Sequence, residues 1–225
     1  GFDYVAFIQC KKKVEIPGFR CEEFTTLVID LNQDLDKLWK QISKSWRIEI
    51  NSAIRQGIRI SINKHYEEFY QINLKFRKLK KLEGGLLDIQ FMKENGILFT
   101  AEYNSEIISG MFFINDEHRV RWLIGASKRL EVSDRKKANL IGKANRLIIW
   151  EAIKYAKNNG FIEFDLGGYY TGPIKNEELE KINFFKRGFG GELKVYFNYY
   201  KESFAYSLAK KVYSLYKTLK KGLSI

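Results

Sequence analysis

From Gly96 onward the apolar residues change their period. Three runs, "GILFTAEY", "EIISGMFFI" and "HRVRWLIGAS", read as strands and are separated by the short polar turns "NS" and "NDE", which predicts an antiparallel meander. The next run, "ANLIGKANRLIIWEAIKYAKNNG", sets Ile141, Ala144, Ile148, Ala152 and Tyr155 on one helical face and ends at Gly160 with helix-stop chemistry. "FIEFDL" then reads as a strand. Neighbouring strands joined by a helix run parallel, so "HRVRWLIGAS" and "FIEFDL" predict a parallel pair beside an antiparallel meander, with a right-handed crossover between them. The expected class is mixed α+β: a central mixed sheet flanked by helices.

The flanking segments fit that frame. "EFTTLVIDL" reads as a strand, "NQDLDKLWKQISKSWRIEINSAIRQG" as one helix ending near Gly57, and "IRISIN" as a short strand. "HYEEFYQINLKFRKLKKL" carries Phe69, Ile72, Phe76 and Leu79 at helical spacing and is broken by Gly84-Gly85, and "LLDIQFMKE" predicts a second short helix. After "FIEFDL" come a helix in "NEELEKINFFKRG", with an asparagine cap and early acids, and a last strand in "ELKVYFNYY". The organisation expected is a strand-helix-strand segment over 1–62, either part of the same domain or the remnant of a first one, followed by a main domain over 63–225. No internal repeat or low-complexity tract interrupts the chain.

With 225 residues of which 45% are apolar, the chain can bury an ordinary core. The formal charge of +12 favours an anionic partner: nucleic acid, an acidic membrane surface, or a substrate bearing phosphate or carboxylate. Cys10 and Cys21 form no Cys-x-x-Cys pair and His65 and His118 lie far from them, so no metal site and no disulfide framework is expected, and a reducing, cytoplasmic compartment fits. No apolar run reaches the length of a membrane span. The C-terminal "FAYSLAKKVYSLYKTLKKGLSI" places Leu208, Val212, Leu215 and Leu219 at helical spacing among lysines and without an acid. Such a helix either packs on its own domain with a solvated lysine face or lies on an anionic membrane.

Two segments resemble a known family. "LIIWEAIKYAKNNGFIEFDLGG" and "INFFKRGFGGEL" are similar to the tryptophan-bearing helix, the Asp-Gly-Gly strand end and the Phe-Lys and Gly-Phe-Gly-Gly run of the FemABX peptidyl bridge-forming aminoacyltransferases, a group with the GNAT acyltransferase fold. "RIEINSAIRQGIRI" and "EEFYQINLKFRK" are weaker echoes of the same group. The resemblance covers roughly residues 47–200. FemABX members carry two tandem GNAT-like domains, whereas this chain has room for one and a fragment; the acceptor site, which draws on both domains in the family, is the part this leaves open.

The resemblance implies amide formation from an activated acyl group, with aminoacyl-tRNA or acyl-CoA as donor substrate and no tightly bound cofactor. The acceptor it implies is an amine-bearing cell-wall precursor or an amino sugar. It gives Lys186 the catalytic role of stabilising the developing oxyanion or the leaving oxygen. Asp165, at the end of a strand, either accepts the amine proton and orients the acceptor or caps the turn at Gly167-Gly168. Phe185 is expected to wall the site or to sit in the core, and Gly167, Gly168, Gly190 and Gly191 to allow positive φ and close backbone approach, for substrate contact or for tight turning. Arg77, within "KFRKLKK", is a candidate for donor or acceptor phosphates. "NLIGKA" resembles the acyl-CoA signature of GNAT enzymes, with Asn139, Gly142 and Ala144 at its three positions; a working signature needs their amides free at a helix start, and the competing reading of Gly142 is helix packing. A third reading of the chain is a non-catalytic basic domain that binds nucleic acid or membrane.

Overall fold

The computed structural model describes residues 3–82 and 86–222, with side chains as far as Tyr213. In chain order the elements are strands β1 (Tyr4–Cys10) and β2 (Arg20–Asp30), helices α1 (Leu35–Gln41) and α2 (Lys44–Arg55), strand β3 (Arg59–Ile62), helices α3 (Tyr66–Leu79) and α4 (Ile89–Asn95), and strands β4 (Gly96–Tyr103), β5 (Glu106–Asn115) and β6 (Arg119–Ser127). A 3-10 turn (Lys128–Leu130) leads to helix α5 (Arg135–Asn158), strand β7 (Glu163–Gly168), helix α6 (Glu177–Arg187), strand β8 (Glu192–Glu202) and helix α7 (Phe204–Gly222). The chain divides into a large compact unit, Leu27–Leu193, and a smaller one formed by the residues on either side of it. The division does not fall after residue 62, because Trp46, Ile50 and Ala53 of α2 are buried in the same core as α5.

In the large unit the strands are ordered β2-β7-β6-β5-β4-β3. β3 to β6 pair antiparallel with their sequence neighbours, and β6 pairs parallel with β7. This is the meander followed by a parallel step that the change of period predicts. Alternation along the strands divides the apolar residues between two faces. Phe99, Phe113 and Phe164 lie on one face with Ile141, Ile148 and Ala152 of α5, while Leu98 and Phe112 lie on the other with Phe69 and Ile72 of α3 and Met92 of α4. Burying both faces in this way requires helices on each side of the sheet.

Two helix boundaries differ from the expectation. The single helix expected through "NQDLDKLWKQISKSWRIEINSAIRQG" is two, because Ile42 is extended and Ser43 starts afresh, its hydroxyl accepting from the Trp46 amide at 3.4 Å. Serine competes for local backbone donors and so favours the N-cap over the helix interior. At the other boundary, Asp134 accepts from the amides of Lys136 at 2.9 Å and Lys137 at 3.2 Å, and α5 begins at Arg135. The break expected at Gly84-Gly85 lies outside the described residues.

In the smaller unit β1 pairs antiparallel with β8, Tyr4 opposite Glu202, in the order β1-β8-β2. β1 is absent from the sequence reading, since "YVAFIQC" is a near-continuous apolar run with no turn signal before it. α7 contacts β1 through Tyr206, whose ring lies 5.7 Å from that of Tyr4, and β8 through Lys210, which pairs with Glu202 at 2.6 Å. Leu208 and Val212 are exposed on α7, and Leu215 and Leu219 lie outside the described side chains. Among the described residues no helix is long and apolar enough to cross a membrane.

The Asp134 cap fixes where α5 starts, so Asp134→Ala is expected to cost about 1 kcal/mol of folding free energy. Urea denaturation of the two proteins measures the difference, and equal midpoints would mean that the cap does not set the helix start.

Candidate functional site

β6 and β7 pair at Arg119↔Glu163, Val120↔Phe164 and Arg121↔Asp165, and their register ends there although β6 continues to Ser127 and β7 to Gly168. On its other side β6 shifts register against β5 between Phe112↔Ile124 and Phe113↔Trp122, so Leu123 is an extra residue in the strand. A bulge of this kind re-aims the side chains beside it. Trp122 consequently lies on the same face as Gly125 and across it; a methyl group at Gly125 would stand 2.7 Å from the indole. The two parallel strands thus part beside a large aromatic residue.

Lys186, near the C-terminal end of α6, occupies this parting. Its Nζ donates to the Gly168 carbonyl at 2.6 Å and lies 5.4 Å from the centre of the Trp122 ring. The side chain is buried, with 6% of the residue exposed. Burial pushes its pKa down from the ordinary lysine value to about 8, the Asp165 charge holding it up and Arg121 pressing it further down. Gly167, with φ of +77°, carries the turn beside it: a side chain there would stand 3.0 Å from the Trp122 carbonyl and 3.8 Å from the lysine nitrogen.

Asp165 is fully buried. Its Oδ1 accepts from the Gly167 amide at 2.7 Å, and its Oδ2 stands 3.8 Å from both Arg119 Nη1 and Arg121 Nε. With no exposed surface the carboxylate does not meet an acceptor amine in this structure. The bond to the Gly167 amide is the turn-capping contact, and the same carboxylate faces two guanidinium groups.

Phe185 forms an aromatic wall. Its ring lies 6.1 Å from Trp122, 6.5 Å from Trp46 and 5.4 Å from Phe189. The Trp46 indole N–H donates to the Phe185 carbonyl at 3.0 Å, which ties α2 to the last turn of α6. Gly188 makes this contact possible, since a methyl group there would overlap the indole of Trp46. Gly190 and Gly191, both at positive φ, pack on the chain itself: Gly190 faces Gln41, and a side chain on Gly191 would stand 2.7 Å from the Val28 carbonyl.

Arg77 lies apart from this group, in a cavity of about 410 Å³ lined also by Asn73, Phe76, Leu87, Leu123 and Gly125. Asn73 is 2% exposed. Leu123 and Gly125 belong to the same short stretch of β6 as Trp122, so the bulged strand joins the cavity to the lysine.

The expected acyl-CoA cradle is corrected by the structure. Asn139, Gly142 and Ala144 lie inside α5, which the Asp134 cap begins at Arg135, and the Ala138 amide already donates to the Asp134 carbonyl at 2.9 Å. From Ala138 onward the amides are spent within the helix, so those of Gly142 and Ala144 are not available to a pyrophosphate. Gly142 instead lies beneath two guanidinium groups, those of Arg129 and Arg146.

Sequence reasoning overlooks Trp46, Trp122, Arg119, Arg121 and Gly188. The Arg-x-Arg alternation in "HRVRWLIGAS" does put two cations on one face of a strand expected to neighbour Asp165, and that signal was sufficient to find the pair. Nothing local in the sequence links Trp46 to Gly188, which are far apart in the chain.

No protein-family model matches the chain, and no curated protein matches it. Among solved structures, FemX superposes with a TM-score of 0.62 at 14% identity, over 88% of this chain and 68% of the FemX chain. A C-terminal domain assigned to a lysylphosphatidylglycerol synthetase from Agrobacterium fabrum gives 0.60 at 11% identity, over 86% of this chain and 65% of that one. L-PGS from Bacillus licheniformis gives 0.57 at 13% identity, over 85% and 65%. The last two are therefore matched over less than two thirds of their length. At these identities the likeness is one of fold, and the fold is the one FemX has.

Two outcomes follow from the geometry. Lys186 has a lower pKa folded than unfolded, so between about pH 8 and 10.5 the unfolded chain binds the extra proton and stability rises with pH. The stability of the wild type relative to Lys186→Met should therefore grow by on the order of 2 kcal/mol between pH 8 and pH 10, as read from urea unfolding at the two pH values; a constant difference would show that the amine is not desolvated. Gly188→Ala should lose about 1–3 kcal/mol through overpacking against Trp46, and an unchanged melting temperature would show that the indole can move aside.

Proposed function

We propose that the chain is an acyltransferase that forms an amide on an amine acceptor in the manner of the FemABX group. Aminoacyl-tRNA is the donor and an amine-bearing cell-wall precursor the acceptor, in the cytoplasm. The observation that carries this reading is the buried Lys186 amine, held between the parted strands β6 and β7 with a pKa lowered to about 8.

In the reaction the neutral acceptor amine attacks the ester carbonyl of the donor. A C–N bond forms, the C–O bond to the ribose breaks, and the proton lost by the amine ends on the leaving hydroxyl. Lys186 as an ammonium stabilises the oxyanion, and with a pKa near 8 it can lend its proton to the departing oxygen and be restored by the proton of the amine. Phe185 and Trp122 keep water from the ester, while Asp165 positions the Gly167 turn and, through Gly168, the lysine. The cavity beneath Leu123 suits the acceptor, with Arg77 placed for an anionic group on it. Exposed Leu208 and Val212 beside Lys210 and Lys211 on α7 support peripheral contact with an anionic membrane, where lipid-linked precursors reside.

An acyl-CoA donor, with an amino sugar as acceptor, is the second reading. It lacks the helix-start cradle that such enzymes use, because α5 begins before the glycine motif. The net charge of +12 suits the polyanionic donor better.

Transfer of a labelled amino acid from charged tRNA to a nucleotide-linked peptidoglycan precursor tests the reading. Lys186→Met should keep the fold, checked by circular dichroism, and lower turnover roughly 100- to 1000-fold, the cost of losing one oxyanion donor. Apparent tRNA affinity should fall steeply with added salt. Unchanged turnover in a folded Lys186→Met protein would remove the lysine from the mechanism, and a flat salt response would remove the tRNA.

A further inference from the structure

Arg129, at the 3-10 turn after β6, and Arg146, on α5, bring their guanidinium groups together over Gly142. The point where a Cβ on Gly142 would stand is 3.6 Å from Arg146 Nη1 and 3.7 Å from the central carbon of Arg129. Two like charges are thus held close, and the groups around them do not neutralise both. Glu49, on α2, stands 3.2 Å from Arg146 Nη1, the same nitrogen that donates to the Gly142 carbonyl at 2.7 Å. Among the described residues Arg146 makes no other side-chain hydrogen bond and Arg129 makes none. The nearby ammonium of Lys143 is directed at Ser52 Oγ, at 3.0 Å. The local balance is three cations against one carboxylate.

The pair is also built rather than incidental. The Arg146 guanidinium is stacked 3.9 Å from the centre of the Trp46 ring and lies 5.5 Å from that of Phe185, with 14% of its side chain exposed. Burial draws its pKa down, Glu49 holds it up and Arg129 draws it down further. A planar fork fixed by stacking loses little entropy when it takes up an oxyanion. The aromatic wall that carries Arg146 is the one that carries the lysine: Phe185 neighbours Trp122 at 6.1 Å, and the Lys186 amine lies 5.4 Å from Trp122. One end of the wall bears guanidinium groups and the other the amine assigned to the acyl carbon.

We propose that Arg129 and Arg146 together bind a phosphate group of the acyl donor, so that the donor lies along the Trp46, Phe185 and Trp122 wall with its phosphate on the arginines and its acyl carbon at Lys186. This rests on the acyl-transfer reading for what the donor is, but not for whether the arginines bind an oxyanion. Both aminoacyl-tRNA, through the phosphodiester next to its ester, and acyl-CoA, through its pyrophosphate, supply the chemistry. The guanidinium fork does here what helix-start amides do elsewhere.

Calorimetric titration of the full chain with inorganic pyrophosphate at low ionic strength tests it. One-to-one binding is expected, weakened at least tenfold in Arg129→Ala, whose side chain is exposed and whose loss leaves the core intact. Glu49→Gln should tighten binding several-fold by removing the competing carboxylate, an effect that a purely structural Arg146 would not produce. Absence of binding to the wild type, or equal affinity in all three proteins, overturns the proposal. Lys186→Met should bind pyrophosphate as the wild type does, whereas a wild type that binds the anion but transfers no acyl group would retire the acyl-transfer reading and leave the clasp standing. Competition then identifies the source: displacement of pyrophosphate by an aminoacylated oligonucleotide ending in CCA, or by coenzyme A, supports the donor role, and displacement by neither overturns it.

Discussion

The parting of β6 from β7 after a three-residue register is the constraint on which the rest of the site depends. Parallel strands that stayed paired would use their backbone groups on each other and leave no opening at their ends. Here β6 gains a residue at Leu123, and β7 turns at Gly167 under the Asp165 carboxylate. The Gly168 carbonyl, released from the ladder, accepts from Lys186 instead. The lysine is therefore satisfied by a carbonyl beyond the end of the paired register, with Trp122 beside it.

That arrangement concentrates positive charge. Arg119, Arg121 and Lys186 lie around the buried Asp165 carboxylate, Arg119 also standing 3.7 Å from Asp116, and the lysine is desolvated enough to lower its pKa to about 8. Burying an ammonium costs several kcal/mol unless it is paired, and a neutral carbonyl and a stacked indole offset part of that. The cost is tolerable because α6 is fixed at its end by the Trp46 indole on the Phe185 carbonyl and by Ser43 donating to the Gly188 carbonyl at 2.8 Å. A desolvated ammonium in a water-poor setting favours a step that develops negative charge on an oxygen.

Much of this was legible in the sequence where the information is local. The switch of period at Gly96 marks the meander, the cap at Asn176 marks α6, and the helix between "HRVRWLIGAS" and "FIEFDL" implies the parallel pair. Lys186, Phe185 and Gly167 stand out because the segments that hold them resemble FemABX motifs. What was not legible is set by distance along the chain or by competition between signals. Trp46 reads as an ordinary amphipathic-helix residue until α2 is packed against α6. The glycine motif in "NLIGKA" reads as a helix start, but Asp134 caps the helix first and leaves Gly142 two turns inside it. Asp165 offers a carboxylate at a strand end in both of its readings, and only the fold places Arg119, Arg121 and the Gly167 amide around it.

The tie between α2 and α6 also bears on how the first sixty residues relate to the rest. Trp46 donates to Phe185, its ring carries Arg146, and Gly188 is shaped to receive it. Leu38, Ile42, Ile50 and Ala53 are buried in the core that α5 shares with the strands. A remnant of a separate domain would be expected to keep a core of its own and to meet its neighbour through a polar, modest interface. Here α1 and α2 supply one wall of the site and part of the central core. Leu27–Leu193 is the compact unit that contains Lys186, and α1 and α2 share its core with the sheet.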